Sequence, residues 1–327
     1  MKKSTAISPA NIAFIKFWGK KDPELNLPFN DTFSMNLSCC LTTTTVEFSP
    51  KYKEDSIVVG GKEVSGGKKD RVIKILNLVR EKASFNLKAR AVSENSFPEG
   101  AGIASSASAF SALALAASCA AGLNLSEKEL SILARRGSGS ACRSIPSGFS
   151  EWKAGNSNDS SYAVQIAKPD FWSLADVVVV TNKEEKKVGS TEGHELATTS
   201  PYFKARLARL PTKIRKIKKA FFKKDFLTFG SILEEEAIDL HLTAMSSNPP
   251  VYYWNGGTID VIHATQEWRK DGLLGFFSID AGPNVHLICL GKDSSEVEKR
   301  IKQLKSVLFT ITNKPCEGTH LVEKHLF

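Results

Sequence analysis

Residues 98–108, with the sequence PEGAGIASSAS, join a glycine-containing loop directly to the start of a serine- and alanine-rich helix. Glycines allow backbone N–H groups to approach an anion, and a helix N-terminus adds unpaired donors and a partial positive charge. The segment therefore predicts an anion site, although an ordinary turn and helix N-cap would use the same residue types. It matches neither the Walker A pattern nor G-x-G-x-x-G.

A second polar segment, residues 135–144 with the sequence RRGSGSACRS, places three arginines beside alternating glycine and serine. Backbone donors and hydroxyls suit a phosphate group, and a guanidinium can hold a carboxylate through two parallel hydrogen bonds. A flexible linker is the alternative, but linkers rarely carry so many arginines. We therefore expect this segment to bind a polyanion.

Two further segments end apolar strands in charged residues. Residues 11–22, NIAFIKFWGKKD, run from an apolar strand into aromatic residues and lysines, which alone is a weak signal. Residues 278–284, SIDAGPN, place Asp280 at a turn between two apolar strands. This carboxylate could bond its own backbone, or it could act as a base or fixed charge if the strands carry it into a cleft lined by cations.

The net charge of +9 comes from one segment, residues 204–224, which holds ten basic residues and no acidic one. The rest of the chain is therefore close to neutral, at about −1. Apolar residues recur in it at intervals of three and four, which predicts a helix docked on a core with its basic face outward. That face could be merely solvated, could attract an anionic substrate, or could bind RNA or a membrane.

Length and composition indicate a soluble globular protein of about two domains. The chain has 327 residues, 42% of them hydrophobic, and its six cysteines include no C-x-x-C pair. This usage fits a reducing cytosol, so we expect a cytoplasmic protein. The N-terminus lacks the apolar core of a secretory signal, and the Ile103–Leu123 stretch carries too many serines for a membrane helix.

Hydrophobic periodicity predicts strands mixed with one long helix in the first half and a helix-rich second half. We place the domain boundary near residue 170, dividing the chain into residues 1–170 and 171–327. The predicted strands cover residues 42–48, 57–59, 87–92, 177–180, 275–279 and 285–290. The predicted helices cover residues 70–81, the Ser/Ala segment, 205–222, 225–243, 258–268 and 295–305.

Together these segments resemble the mevalonate diphosphate decarboxylase family of the GHMP kinase superfamily over nearly the full length. The matching strings, in the family's order, are Asn11–Lys20, Ala101–Ser106, Arg135–Arg143, Gly189–Gly193, Thr199–Pro201 and Asp280–Asn284. The resemblance implies an α+β, two-lobed GHMP kinase fold, with an N-terminal nucleotide-binding lobe like ribosomal protein S5 domain 2 and a C-terminal ferredoxin-like lobe. It also implies ATP and Mg²⁺ as cofactors, a homodimer, and formation of isopentenyl diphosphate, ADP, phosphate and CO₂ from mevalonate 5-diphosphate in isoprenoid biosynthesis.

Roles carried over from the family fall on matching positions of this sequence, with no metal ligand assigned. The resemblance implies catalytic roles for Asp280, Arg143 and Lys187. The implied nucleotide-binding residues are Ala101, Gly102, Ala104, Ser105 and Ser106. The implied substrate-binding residues are Phe17, Trp18, Gly19, Lys20, Arg71, Ser138, Gly139, Ser140, Ala141, Cys142, Arg143 and Thr191.

Three positions depart from the family's pattern. Phe17 stands where the family usually has Tyr, His194 replaces the usual Met, and Ile145–Ser147 replaces a stretch that normally ends in two glycines. Mevalonate 5-phosphate decarboxylases and mevalonate 3-kinases share the fold and remain alternative functions. An RNA-binding protein that uses the basic helix is the non-enzyme alternative, whereas the resemblance implies no nucleic-acid and no membrane partner.

Overall fold

A large mixed sheet organises the first half of the chain in the computed structural model, which describes residues 3–98, 105–184 and 187–327. The strands of this half are β1 Ser4–Ile15, β2 Lys20–Asp22, β3 Leu27–Pro28, β4 Thr32–Phe48, β5 Ser56–Val59, β6 Lys62–Glu63, β7 Ala89–Asn95, β8 Phe149–Lys153 and β9 Tyr162–Ala167. With the C-terminal strand β14, His320–Val322, the order of the sheet is β14-β1-β4-β7-β5-β6, and β8 and β9 extend it from β4. The helices are α1 Gly66–Ala83, α2 Ser105–Ala120 and α3 Glu127–Gly137, followed by a 3₁₀ turn, Gly139–Ser144.

The Ser/Ala helix α2 lies buried against β1 and β4, as its small side chains predict. Its buried hydroxyls are satisfied within the protein, because Ser111 and Ser118 donate to the carbonyls of Ala107 and Ala114, each at 2.7 Å. Within the described residues, no helix is both long and apolar enough to cross a bilayer.

A second, antiparallel sheet organises the rest of the chain, and its strands are β10 Leu174–Val180, β11 Gly275–Ile279, β12 Val285–Leu290 and β13 Phe309–Asn313. Its order is β11-β12-β10-β13, and β14 His320–Val322 returns to pair with β1 of the first sheet. The helices are α4 Ser190–Leu196, α5 Phe203–Lys223, α6 Phe226–Met245, α7 Gly256–Lys270 and α8 Ser294–Ile301, with short 3₁₀ turns at Ala197–Thr199 and Gly291–Asp293.

The valine run of β10 is buried on both faces of this sheet. Val178 and Val180 pack in a core with α5 and α6, whereas Val177 and Val179 pack in a core with α7 and α8. A strand covered on both sides needs no polar alternation. The structure thus confirms the predicted buried strand and the α+β, two-lobed architecture, while the domain boundary at residue 170 stays a prediction.

Most predicted elements are confirmed with shifted ends. The strand predicted at 42–48 is only the end of β4, and the one predicted at 87–92 is displaced to Ala89–Asn95. The last helix ends at Ile301 instead of residue 305, because the following residues form turns that bury part of Leu304 in the second-lobe core. Helices α3 and α4 and strands β2, β3, β6, β8, β9, β13 and β14 were not predicted.

The prediction that the whole basic face of α5 points outward is wrong at two positions. Arg206 and Lys213 are only 3% and 5% exposed. Both form ion pairs with Glu236 of α6, and Lys213 also pairs with Asp239 at 2.5 Å. These two cations are therefore part of the protein interior rather than of a solvated surface.

Candidate active site

One cleft of about 290 Å³ collects residues from all four polar segments. It lies where the C-terminal end of β1, the start of α2, the 3₁₀ turn after α3, helix α4 and the β11–β12 turn meet. The predicted site residues among its lining are Phe17, Trp18, Lys20, Arg71, Ser106, Ser138, Gly139, Ser140, Arg143, Thr191 and Asp280. Segments far apart in the sequence thus form one polar cavity.

Asp280 lies at the β11–β12 turn and is held by a buried lysine. Lys16, at the end of β1, donates to Asp280 Oδ1 and to Ser278 Oγ, each at 2.6 Å. Burial by itself raises the pKa of Asp280, but the charges of Lys16 and His286 together with the Lys16 hydrogen bond lower it to about 2. Asp280 is therefore ionised at neutral pH, and about a quarter of its side chain (26%) stays exposed.

Lys16 was not predicted as a site residue. It is 1% exposed, and burial lowers its pKa while the carboxylate of Asp280 opposes that shift. Its backbone is fixed as well: the N–H donates to Glu236 at 3.2 Å and the carbonyl accepts from Arg206 at 3.0 Å. The sequence signal was a lysine ending an apolar strand, which is too common to single it out. We call Lys16, Arg206, Lys213, Glu236 and Asp239 the Lys16 network.

Arg143 is buried at the floor of the cleft and oriented by two polar groups. Its Nε donates to Asn11 Oδ1 at 3.0 Å, and its Nη1 approaches Thr32 Oγ1 at 3.3 Å. Asn11 in turn donates to Ser144 Oγ at 2.7 Å, so the acceptor is itself held in place. With Nε and Nη1 held by the protein, the guanidinium still has the N–H donors of Nη2 to offer to an anion such as a carboxylate.

The 3₁₀ turn after α3 presents backbone and hydroxyl groups to the cleft. Ser138 Oγ lies 3.2 Å from Ser106 Oγ and 3.4 Å from Ser140 Oγ. Gly139 must lack a side chain, because a Cβ there would lie 2.5 Å from the ring of Phe17. Close packing of aromatic and backbone surfaces thus explains the glycine of this motif.

Several predicted site residues lie elsewhere. Ala141 and Cys142 are fully buried behind the turn and do not line the cleft, and burial raises the pKa of Cys142 to about 12. Gly19 contributes its backbone N–H rather than a cleft surface. Ser105 begins α2, and Lys187 is exposed and outside the lining. Ala101, Gly102 and Ala104 fall outside the described residues.

Four cations, Lys20, Arg71, Lys74 and Arg136, line the cleft at exposed or half-buried positions and are called the cation wall. Burial and the charge of Arg71 lower the pKa of Lys20, and burial and the charge of Arg136 lower that of Lys74. Within the described chain, no carboxylate lies within ion-pair distance of any of the four. Lys74 and Arg136 were not predicted, although Lys74 lies one helical turn from Arg71 on α1.

The donor set fits a nucleotide-bound Mg²⁺ better than a metal held by protein alone. Among the described residues, no group of three or more His, Cys, Asp or Glu side chains could hold a metal ion. Mg²⁺ at phosphoryl-transfer sites is usually held by one or two protein groups together with substrate phosphates. The Ser106 hydroxyl and the Asp280 carboxylate, both on the cleft, are suitable groups.

Comparison with known proteins gives one consistent result. Residues 8–163 match the family described as diphosphomevalonate decarboxylase-like N-terminal domain, and residues 176–323 match the mevalonate 5-diphosphate decarboxylase C-terminal domain. The chain is 36% identical to diphosphomevalonate decarboxylase mvd1 of Aspergillus fumigatus, covering 92% of this chain and 80% of that protein. It is also 32% identical to the phosphomevalonate decarboxylase of Haloferax volcanii, covering 91% of this chain and 92% of that one.

Solved structures show the same similarity. The crystal structure of mevalonate diphosphate decarboxylase from Staphylococcus aureus aligns with a TM-score of 0.93 at 37% identity, covering 98% of each chain. A complex of the protein designated MDDEF with MVAPP, AMPPCP and magnesium aligns with a TM-score of 0.93 at 35% identity, covering 98% of this chain and 99% of that one.

Proposed function

The chain belongs to the diphosphomevalonate decarboxylase family, and from this we propose that it converts mevalonate 5-diphosphate to isopentenyl diphosphate, with ATP cleaved to ADP and phosphate and CO₂ released. The observation that carries the proposal is the Asp280–Lys16 pair at 2.6 Å in a cleft whose other charged lining residues are all cations. A carboxylate kept ionised among unpaired positive charges is suited to a reaction on a highly anionic substrate.

In this function Asp280 lies beside the tertiary hydroxyl of the substrate. Its low pKa makes it a weak base, so its main role is to orient the hydroxyl and to stabilise the positive charge that develops at carbon 3 as the phosphate leaves. Lys16 is a positioning residue, because it contacts Asp280 and holds its charge and direction. When bound, ATP supplies the phosphoryl group and Mg²⁺ neutralises charge between the phosphates.

Arg143 holds the substrate carboxylate in line with the carbon–carbon bond that breaks. A strong ion pair would also stabilise the ground state, so the benefit must come from orientation. The cation wall binds the phosphate groups at the other end of the substrate, together with the hydroxyls of Ser138 and Ser140. The roles of Lys187 and of the loop before α2 stay predictions from the family resemblance.

Two alternative functions differ from the proposal in the molecule that the protein binds. A mevalonate 5-phosphate decarboxylase remains the second candidate, because the Haloferax relative carries that name at similar identity. The RNA-binding alternative loses support, because Arg206 and Lys213 of the basic helix are buried in ion pairs.

The proposal also includes a homodimeric state and a cytoplasmic location. Sedimentation at micromolar concentration tests whether the protein is a homodimer.

The deciding experiment compares mevalonate, its 5-phosphate and its 5-diphosphate side by side in one ATP-dependent assay of ADP and CO₂. We expect the highest kcat/KM with the 5-diphosphate and equal amounts of ADP and CO₂. A preference for the 5-phosphate would establish the second candidate. ADP formation from mevalonate without CO₂ would identify a 3-kinase, and inactivity on all three would reject the proposal.

A further inference from the structure

His194 of α4 is a buried polar side chain in the cleft that the mechanism does not yet use. It is 9% exposed and lines the cleft. Its ring packs beside Phe17 with centroids 4.1 Å apart and beside Trp18 with centroids 5.0 Å apart. The aromatic neighbours on two sides fix the plane of the imidazole.

The hydrogen bonding of His194 determines where its proton lies. The backbone N–H of Gly19 donates to Nδ1 at 3.0 Å, so Nδ1 is an acceptor and the neutral ring carries its hydrogen on Nε2. Burial and the nearby charges of Lys20, Arg143 and Arg206 lower the pKa of His194 to about 3, which keeps the ring neutral at pH 7. No hydrogen-bond partner for Nε2 is found among the described residues.

The position of His194 in the cleft indicates which part of the substrate its Nε2–H can bind. Lys20 of the cation wall lines the same cleft and directly follows Gly19, whose N–H binds the ring, and it is the charged group that acts most strongly on His194. The adjacent Phe17 ring, packed against Gly139, offers no hydroxyl where a tyrosine would present one. An uncharged donor therefore lies next to the lysine that faces the anionic end of the substrate.

We propose that His194 donates a hydrogen bond from Nε2 to the phosphate end of the substrate and replaces the hydroxyl that Phe17 lacks. The contact rests on the proposed function, and it makes His194 a specificity-determining residue for the phosphorylated end. Because the donor is a neutral imidazole, the ratio of the His194→Met KM to the wild-type KM should not depend on pH between about 5.5 and 8.

A set of three variants tests this contact. His194→Met fills the space with an apolar side chain and removes the donor, and we expect KM for mevalonate 5-diphosphate to rise about tenfold, the usual effect of losing a hydrogen bond to a charged group. His194→Gln, which retains an N–H near the position of Nε2, should recover most of the loss. Adding Phe17→Tyr to His194→Met should also lower KM, whereas Phe17→Tyr alone should change it little.

The control and the independent probe separate this proposal from the proposed function. His263→Met alters an exposed histidine of α7 outside the cleft and should leave KM unchanged. Calorimetric titration with inorganic pyrophosphate measures the contact without turnover, and His194→Met should weaken it about tenfold even if the wild type releases no CO₂. Thermal unfolding verifies that each variant is folded.

Three results would overturn the proposal. The first is a folded His194→Met variant whose KM and pyrophosphate affinity stay within twofold of the wild type. The second is His194→Gln as weak as His194→Met, which would mean that the ring only packs. The third is a ratio of the His194→Met KM to the wild-type KM that falls as the pH rises through 6 to 7, which would indicate a charged imidazolium instead of a neutral donor.

Discussion

The Lys16 network and the cation wall hold similar numbers of positive charges in opposite surroundings. In the Lys16 network, each cation pairs with a carboxylate, and Glu236 at its centre is completely buried. In the cation wall, no described carboxylate lies within ion-pair distance. Buried ion pairs hold their side chains in fixed positions, whereas cations at a cleft that have no carboxylate partner are available to bind an anionic ligand. The cleft therefore combines a rigid reactive end with an end adapted to bind phosphate.

The largest expected effect comes from breaking the centre of the Lys16 network. Glu236→Gln leaves Arg206 and Lys213 buried with less compensation, so the free energy of unfolding should fall by about 3 kcal/mol. Glu235→Gln is the matched control, because Glu235 is 43% exposed and its loss should change stability by less than about 1 kcal/mol. Urea unfolding of both variants measures the difference, and equal values would mean that the network does not stabilise the fold.

The second prediction concerns orientation by a planar cation. Arg143→Lys replaces a planar guanidinium, which can donate two parallel hydrogen bonds, by an ammonium group. Release of CO₂ should therefore fall about 10²-fold while some ATP cleavage continues. Separate assays of ADP and CO₂ measure the split between the two products. Equal amounts of ADP and CO₂ in a slow variant would reduce Arg143 to a substrate-binding residue.

The third prediction tests whether Lys16 keeps Asp280 ionised. The pKa of Asp280 is lowered to about 2, so the carboxylate is charged at every pH above that value and kcat/KM should show no acid limb from this group above about pH 4. In Lys16→Met, Asp280 stays buried but loses the charge that lowers its pKa. The pKa of Asp280, and with it the pH below which kcat/KM falls, should therefore rise by about one to three units. The pH dependence of kcat/KM in both proteins measures the shift, and two superimposable profiles would contradict it.

The smallest effect is expected at the cation wall, where charges act singly. Arg71→Gln should lower kcat/KM for mevalonate 5-diphosphate about tenfold, with most of the loss in KM. The double variant Lys216→Gln and Lys219→Gln removes two exposed charges of α5 and serves as the control. It should change kcat/KM only at low ionic strength, because screening acts over about 8 to 10 Å at physiological salt. If the double variant lost as much kcat/KM as Arg71→Gln, the attraction of the phosphate groups would be due to the basic helix.

The sequence predicted the parts that depend on local patterns. The valine run of β10 and the small-residue helix α2 follow from hydrophobic spacing, and Asp280 was found at its turn between two strands. Helix α3 could have been predicted from its capping box, in which Ser126 and Glu129 satisfy each other's backbone N–H groups. Local signals thus give many of the elements and candidate residues, although element ends were shifted and several short strands and two helices were not predicted.

Long-range partnerships could not be predicted in the same way. Lys16 meets Asp280 across 264 positions of sequence, and its N–H meets Glu236 across 220. No local pattern distinguishes Lys16 from an ordinary lysine at a strand end, or Arg206 from the solvated arginines of α5. Whether a charge is buried depends on tertiary packing, so the pairing of charges needed the structure.

The most direct test of the central claim is the amount of ADP and CO₂ formed from mevalonate 5-diphosphate by the wild type and by Asp280→Asn. The wild type should form both products in equal amounts. In Asp280→Asn the charge is lost with little change of shape, so kcat should fall about 10²-fold or more while AMPPCP still binds. A folded Asp280→Asn variant that forms CO₂ within a few-fold of the wild-type rate would contradict the account.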